Sequence, residues 1–170
     1  GDIIGVFDPG IFSIGDTVTV PGKKFHYSGI PSFEPEMFRS VSPKDTMKRK
    51  QFIKGVQQIA QEGAIQIFKF PGSGYEDIVV GVVGSLQFDV FEYRMRSEYG
   101  VELRMEGLPY SHLIRIKGYE GDYRDMTLCT DSRVLQDLRD RYFIAYCGAW
   151  SLGFLTKHNP GLVLDDQLSV

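Results

Sequence analysis

The sequence predicts an α+β fold, and three observations carry this prediction. Two stretches place apolar residues at helical spacing, and each ends at a glycine, Gly63 or Gly100. Short runs rich in Ile, Val and Phe flank both stretches, and Gly or Pro separates these runs. Over residues 37–106 the resulting order is β-α-β-β-α-β, which is typical of a ferredoxin-like sandwich with two helices on one face of an antiparallel sheet.

Size and charge narrow the class of protein. The chain has 170 residues, of which 42% are hydrophobic and 24% charged, and its net charge is -3. A chain of this length buries roughly 70% of the surface exposed when unfolded, so its core needs no disulfides. The charge provides no attraction of the whole protein to DNA or RNA, and any polyanion site must be a local patch.

Residues 1–25 are predicted to be β structure. Apolar or alternating runs at 3–7, 11–14 and 17–20 are separated by turn residues. One or two hairpins are unstable alone in water, so these strands need partners. Because the chain opens on such a run without an initiator Met, we expect a piece of a longer protein. Residues 26–36, interrupted by Gly and Pro, are predicted to be an extended connector.

The ferredoxin-like part begins with a strand at 37–41. A helix is predicted from Pro43 to about Glu62, with Ser42 as N-cap and Asp45 completing a capping box. Strands follow at 64–70 and 77–83, joined by a Gly-rich turn at 71–75. A second helix opens at 84–85 and ends at Gly100, and 101–105 returns as a strand. The first helix has one apolar face, made of Phe52, Ile53, Val56, Ile59 and Ala60.

Residues 107–170 are predicted to form a second, smaller α/β layer packed on the first. Strands are expected at 112–117, 126–130 and 142–147. A short helix is expected at 131–140 and a last helix at 151–158, before the turn residues Asn159-Pro160-Gly161.

The residues show no constellation typical of catalysis. There is no phosphate-binding loop of either common kind, and His26, His112 and His158 are scattered without metal-ligand spacing. We therefore expect no catalytic, cofactor-binding or metal-binding residue in this chain. Cys129 and Cys147 lie 18 residues apart and do not suggest a secreted disulfide framework, so both are expected to be reduced, buried packing residues of a cytoplasmic protein. No apolar run reaches the length of a membrane span.

One basic patch is the candidate binding site. We call it the basic segment; within residues 44–54 it has five cations opposed only by Asp45, namely Lys44, Lys48, Arg49, Lys50 and Lys54. A solvated helix face is the usual explanation of such a run. The functional alternative is contact with a phosphate backbone, where lysines release counterions. A smaller cluster of Arg94, Arg96 and Arg104 allows the same two interpretations, and the spacing of Glu92 and Arg96 favours the structural one.

Several stretches are specific enough to name a family. They are FHYSGIPSFEPEMF at 25–38, PKD at 43–45, KQ at 50–51, KG at 54–55, EGAIQIF at 62–68, VGVVGSLQFDV at 80–90 and RSEYGVE at 96–102. Together they resemble the peptide-chain release factor 3 family, bacterial class-II translational GTPases. The resemblance covers residues 1–106, and the stretch at 80–102 is also similar to the third domain of elongation factor G.

The resemblance implies a domain division and a function. Residues 1–25 would end the β-barrel second domain, 26–36 would connect it, 37–106 would be the ferredoxin-like domain and 107–170 the C-terminal α/β part. The family binds GTP and magnesium in a G domain that this chain lacks, enters the ribosome and promotes dissociation of class-I release factors. The chain itself would be non-catalytic, and its basic segment would contact ribosomal RNA or a small-subunit protein.

Other interpretations of the same residues stay open. A free-standing ferredoxin-like module that self-associates through a sheet edge fits the fold equally well. The corresponding region of an elongation-factor-G-like protein is another alternative, although the segments GIP at 29–31 and FEPE at 33–36 favour the release factor family. An acyl-phosphatase-like enzyme needs an anion-cradling loop with Arg and Asn, and the only candidate loop, 71–75, has neither.

Overall fold

The computed structural model of the chain describes residues 1–7, 9, 11–12, 14–27, 33–75 and 77–165. Its helices are α1 (Arg49–Gln61), α2 (Leu86–Tyr99) and α3 (Ala149–His158), with short 3-10 helices at Thr46–Lys48 and Tyr123–Asp125. Its strands are β1 (Met37–Pro43), β2 (Gln66–Lys69), β3 (Ile78–Val82), β4 (Leu103–Leu108), β5 (His112–Gly118), β6 (Ser132–Asp137), β7 (Tyr142–Tyr146) and β8 (Val163–Asp165).

All eight strands of the described residues belong to one antiparallel sheet, ordered β4-β1-β3-β2-β6-β7-β5-β8. The first four strands and their two helices have the order of a ferredoxin-like sandwich, which confirms the predicted architecture of this part. The second α/β part is also present. Its strands do not form the separate layer that was predicted, because β6 pairs with β2 and continues the same sheet, with Phe68 opposite Asp137.

Helices α1 and α2 cover the first half of the sheet. Phe52, Phe88 and Phe91 are fully buried between them and the strands. The predicted apolar face of α1 is confirmed, since its five residues are buried or packed against this core. Helix α2 also has apolar residues on its other side, where Leu86 is 71% exposed.

The opposite face of the sheet joins its two halves. Phe38, Phe68 and Val79 from the first half form one buried cluster with residues of the second half, Leu113, Leu135, Phe143 and Ala145. The rings of Phe68 and Phe143 meet edge to face with centroids 5.6 Å apart. We call this cluster the shared core, because each half buries apolar side chains against those of the other half.

Residues 33–35, near the end of the predicted connector, are held against the sheet. Pro35 is buried against Gly81. A Cβ added to Gly81 would lie only 2.9 Å from Pro35 Cβ, so the ring of Pro35 needs a glycine at this position. The Glu34 carboxylate accepts the backbone N–H of Leu113 at 2.8 Å. The Phe33 carbonyl accepts a hydrogen bond from the Gln66 side chain at 2.7 Å. The connector therefore contacts both halves of the sheet.

The predicted start of the first helix is wrong. Strand β1 continues through Pro43, which lies opposite Leu103, and pairing with β3 has already ended at Val41. A residue without an N–H can therefore end the strand. Asp45 caps the short 3-10 helix by accepting the N–H of Met47 at 2.9 Å, and α1 begins at Arg49.

Two predicted elements of the second half are also wrong. Residues 131–140 form β6 and a tight turn instead of a helix, and the left-handed Asp140 has φ 58°. Val134 and Leu135 are both buried because the strand is covered on both faces, so period-2 alternation is lost. Residues 126–130 form no strand, since the backbone N–H and C=O of Thr127 bond the side chain of Asn159.

No strand is assigned to the described residues within 1–27, in contrast to the prediction for 1–25. Their apolar side chains lie in solvent; Ile3 is fully exposed and Phe7 is 89% exposed. A strand needs a neighbouring strand for its backbone groups, and none of the strands assigned to the described residues pairs with this segment. Predicted turn positions Asp8 and Gly10, Ser13 and residues 28–32 lie outside the described residues.

Asn159 provides a first test of the second half. Its side chain is 2% exposed, accepts the Thr127 N–H at 2.8 Å and donates to the carbonyls of Thr127 and Leu155, both at 2.9 Å. Replacing Asn159 with alanine should lower the free energy of unfolding by about 2–3 kcal/mol, because buried polar groups lose their partners. Urea denaturation measures this. Thr156→Ala, which removes an exposed hydroxyl, should change it by less than about 0.5 kcal/mol, and equal effects would contradict the prediction.

Candidate functional site

The basic segment is divided by its contacts into an anchored part and an outward part. Lys44 Nζ lies 3.4 Å from Glu102 Oε2, and Lys48 Nζ donates a hydrogen bond to the carbonyl of Gly100. Both lysines thus tie the start of α1 to the segment between α2 and β4. Exposed pairs of this kind stabilise a fold by less than about 1 kcal/mol.

Lys50 and Lys54 form the outward part. They lie one turn apart on α1, opposite the buried Phe52 and Val56, and both are exposed. Neither makes an ion pair with another described residue. Two neighbouring ammonium groups in solvent can each take a phosphate oxygen without first breaking an internal pair. Arg49, at the start of the helix, is exposed beside them.

The second basic cluster is dispersed by the fold. Arg94 bonds both Glu62 at the end of α1 and Glu98 on α2, with Arg94 Nε 2.7 Å from Glu98 Oε1. Its hydrogen bond holds the pKa of Glu98 below its usual range. Arg94 is therefore a link between two helices, and the structural interpretation is confirmed for it. Arg96 is exposed on α2, and Arg104 points to the opposite face of the sheet.

A polar cleft that the sequence analysis did not identify lies on that opposite face. It has a volume of about 670 Å³ and is lined by Ser40, Ser42, Phe70, Ser73, Gly74, Asp77, Arg104 and Glu106. One arginine faces two carboxylates there, so the charge favours neither an anion nor a cation. Because side chains alternate between the two faces of a strand, the sequence could have predicted that Ser40 and Ser42 of β1 share a face with Arg104 and Glu106 of β4.

A second surface that the sequence analysis missed is the outward face of α3. Trp150, Phe154 and His158 recur there at intervals of four residues, and their rings stack on one another. Their spacing of four residues in the sequence could have predicted that the three rings lie in a row on one side of a helix.

The remaining candidates have structural partners. The loop at 71–75 is a turn in which Ser73 bonds the Phe70 carbonyl through both its N–H and its hydroxyl. Cys129 is buried 3.1 Å from Ser132 Oγ, and burial raises the pKa of Cys147. Both thiols are free. Within the described ranges no group of three or more His, Cys, Asp or Glu is placed to hold a metal ion, and no helix could span a membrane.

The described residues form an antiparallel ferredoxin-like sandwich. Its sheet continues beyond β2 with β6, β7, β5 and β8, and α3 packs against these four strands. Residues 27–156 match the family model of the class II release factor RF3, C-terminal domain. The match covers most of the chain and crosses both halves of the sheet. The chain belongs to this family.

Individual relatives agree with the family. The chain is 45% identical over 163 residues to peptide chain release factor 3 of Symbiobacterium thermophilum, covering 96% of this chain and 30% of the relative. It is 39% identical over 168 residues to that of Listeria welshimeri, covering 99% of this chain and 31% of the relative. The chain thus spans about a third of the length of these relatives.

Proposed function

We propose that this chain is the ribosome-contacting, non-catalytic region of a cytoplasmic translational GTPase that acts in translation termination. Such a factor promotes the dissociation of class-I release factors, and its GTP and magnesium are held by a G domain outside this chain. Membership of the release factor 3 family supports this proposal. In it, residues 1–25 end the barrel domain and 26–36 connect it to the two sheet halves, 37–106 and 107–170.

The observation that carries the contact itself is the pair of outward lysines. Lys50 and Lys54 are exposed, one turn apart and unpaired among the described residues, whereas Lys44 and Lys48 bond the segment between α2 and β4. We assign the phosphate contact to the outward pair, with Arg49 beside it. Ribosomal RNA is the partner whose chemistry fits, and a small-subunit protein with an acidic patch is the alternative.

The test is co-sedimentation of the 170-residue chain with bacterial ribosomes over a salt series. Replacing Lys50 and Lys54 with Glu should weaken binding and reduce the slope of log affinity against log salt by about two, because each lysine contributes about one unit. Binding of the unchanged chain should decline as salt rises.

The matched control reverses the same number of charges elsewhere. Lys24 and Arg139 are exposed and lie outside the basic segment, so Lys24→Glu with Arg139→Glu should leave the affinity and its salt slope close to those of the unchanged chain. Equal losses in both double variants would mean that net charge alone governs binding, and would refute the assignment to α1. Failure of the unchanged chain to sediment at low salt would refute ribosome contact by this region.

A further inference from the structure

The outward face of α3 has three stacked aromatic rings. The centroids of Trp150 and Phe154 are 5.7 Å apart with an interplanar angle of 29°, and those of Phe154 and His158 are 4.0 Å apart with an angle of 23°. Trp150 is 72% exposed although its ring is the largest apolar surface of any side chain. The row of rings, which we call the aromatic row, therefore ends in an open indole.

The aromatic row is not needed to attach α3 to the sheet. Ser151 and Leu155 are the buried residues of this helix, and Leu152 packs with them against the core of β5, β6 and β7. Each lies about 100° or more around the helix from Trp150, which is exposed, and neither Trp150 nor the half-buried Phe154 belongs to that core. The aromatic row is thus available for a contact outside the described fold.

Gly153 leaves a gap beside the open indole. It lies one turn after Trp150 and one turn before Lys157, and a Cβ built on it would meet no atom within 4 Å. A glycine inside an exposed helix costs about 1 kcal/mol relative to alanine. The gap gives a flat group access to the helix backbone and to the edge of the stacked rings.

The charge of this face favours an anionic ligand. Helix α3 contains no Asp or Glu, and its last turn has the exposed Lys157 and His158. The carboxylate bonded to α3 is that of Asp131, which accepts the Ser151 hydroxyl at 2.8 Å on the buried side. Apart from the methyl group of Ala149, the outward face has no aliphatic side chain; its residues are Ala149, Trp150, Gly153, Phe154, Thr156, Lys157 and His158.

Stacked rings, an adjacent ammonium and no carboxylate are the combination with which proteins hold single-stranded nucleic acid, because bases stack on the rings and the cation takes the phosphate. A groove for an apolar peptide would need larger aliphatic residues than Ala149, the aliphatic residue of this face. We propose that the aromatic row binds an unpaired nucleotide of RNA, with the base on Trp150 over Gly153 and the phosphate beside Lys157. This contact is separate from the basic segment and rests on the proposed function only for its source, ribosomal RNA.

Trp150 is the single tryptophan of the chain, so its fluorescence reports directly on the proposed site. Titration of the 170-residue chain with a short oligoadenylate should quench this fluorescence saturably. In parallel, fluorescence anisotropy of a labelled oligoadenylate should show that Trp150→Leu weakens binding roughly tenfold to a hundredfold, the loss expected for one stacked base. Trp150→Phe should recover most of the affinity, and Gly153→Leu should reduce it by filling the gap.

Salt and the lysine variants distinguish this proposal from the previous one. Trp150→Leu should lower the affinity without changing the salt slope, because stacking releases no counterions, and Lys157→Gln should reduce the slope by about one. Circular dichroism verifies that each variant folds. Absence of quenching, or equal affinity of Trp150→Leu and the unchanged chain, would overturn the nucleotide site. If the Lys50 and Lys54 variant still lost ribosome binding in that case, the proposed function would stand without it.

Discussion

Replacing Phe68 with alanine is expected to lower the free energy of unfolding by about 3–5 kcal/mol, the range for removing a buried phenylalanine from a packed core. Phe68 is 2% exposed, lies on β2 at the junction with β6 and contacts Phe143 across it. The two halves share this core. The loss should therefore destabilise both halves together.

Two probes of urea denaturation can follow the halves separately. Trp150 fluorescence reports on α3 in the second half, whereas far-ultraviolet circular dichroism is dominated by the longer helices α1 and α2 in the first half. The two curves should coincide in the unchanged chain and in Phe68→Ala, as expected for one cooperative unit. Phe33→Ala, at a ring 76% exposed, should shift them by less than about 0.5 kcal/mol. An earlier transition of Trp150 alone would contradict a shared core.

The first half of the fold could be predicted because its local signals are independent of the rest of the chain. Gly63 and Gly100 both adopt positive φ and end helices where they were expected to. The buried face of α1 follows from helical spacing. The true start of α1 at Arg49 could not be predicted, because Ser42 and Pro43 followed by Asp45 favour a helix cap locally. The pairing of Pro43 with Leu103, which keeps Pro43 in a strand, depends on a segment sixty residues away.

The second half depends on such distant contacts throughout. Val134, Leu135 and Leu138 fit a helix face as well as a strand buried on both sides, and periodicity alone does not separate these cases. Asp137 and Asp140 could have indicated a turn between two strands, because Asp favours turns and tolerates the left-handed conformation. In the structure the Asp137 carboxylate accepts the N–H groups of Arg139 and Arg141 at 2.9 and 2.8 Å, and Asp140 adopts positive φ. Residues 126–130 are predicted to be a strand, but the side chain of Asn159, more than thirty residues away, holds the backbone of Thr127.

The candidate site was predicted as a cluster of charges, and the structure divides that cluster. Sequence spacing places Lys44 and Lys48 near Lys50 and Lys54, but only folding brings Glu102 and Gly100 to the first two. The same holds for Arg94, whose partner Glu62 is on another helix. Contacts between elements decide which cations remain outward, and these contacts have no local sequence signal.

The second large effect is expected at Gly55, where α1 and α2 approach closely. A Cβ at this position would lie 2.7 Å from Tyr99 Cγ and 2.8 Å from Met95 Sδ. Gly55→Ala should therefore lower the free energy of unfolding by about 1–3 kcal/mol, although alanine alone favours the helix by about 1 kcal/mol. Gly55→Leu should cost more. Gly153→Ala, in open space on α3, should instead stabilise the chain by about 0.5–1 kcal/mol.

A double-mutant cycle measured by urea denaturation identifies the cause of that loss. If the alanine methyl group collides with the Tyr99 ring, Gly55→Ala should cost less in a Tyr99→Ala background than in the unchanged chain, because the ring is no longer there. The coupling should amount to about 1 kcal/mol or more. Additive effects would mean that the close approach of the helices tolerates a methyl group and that Gly55 is needed for another reason.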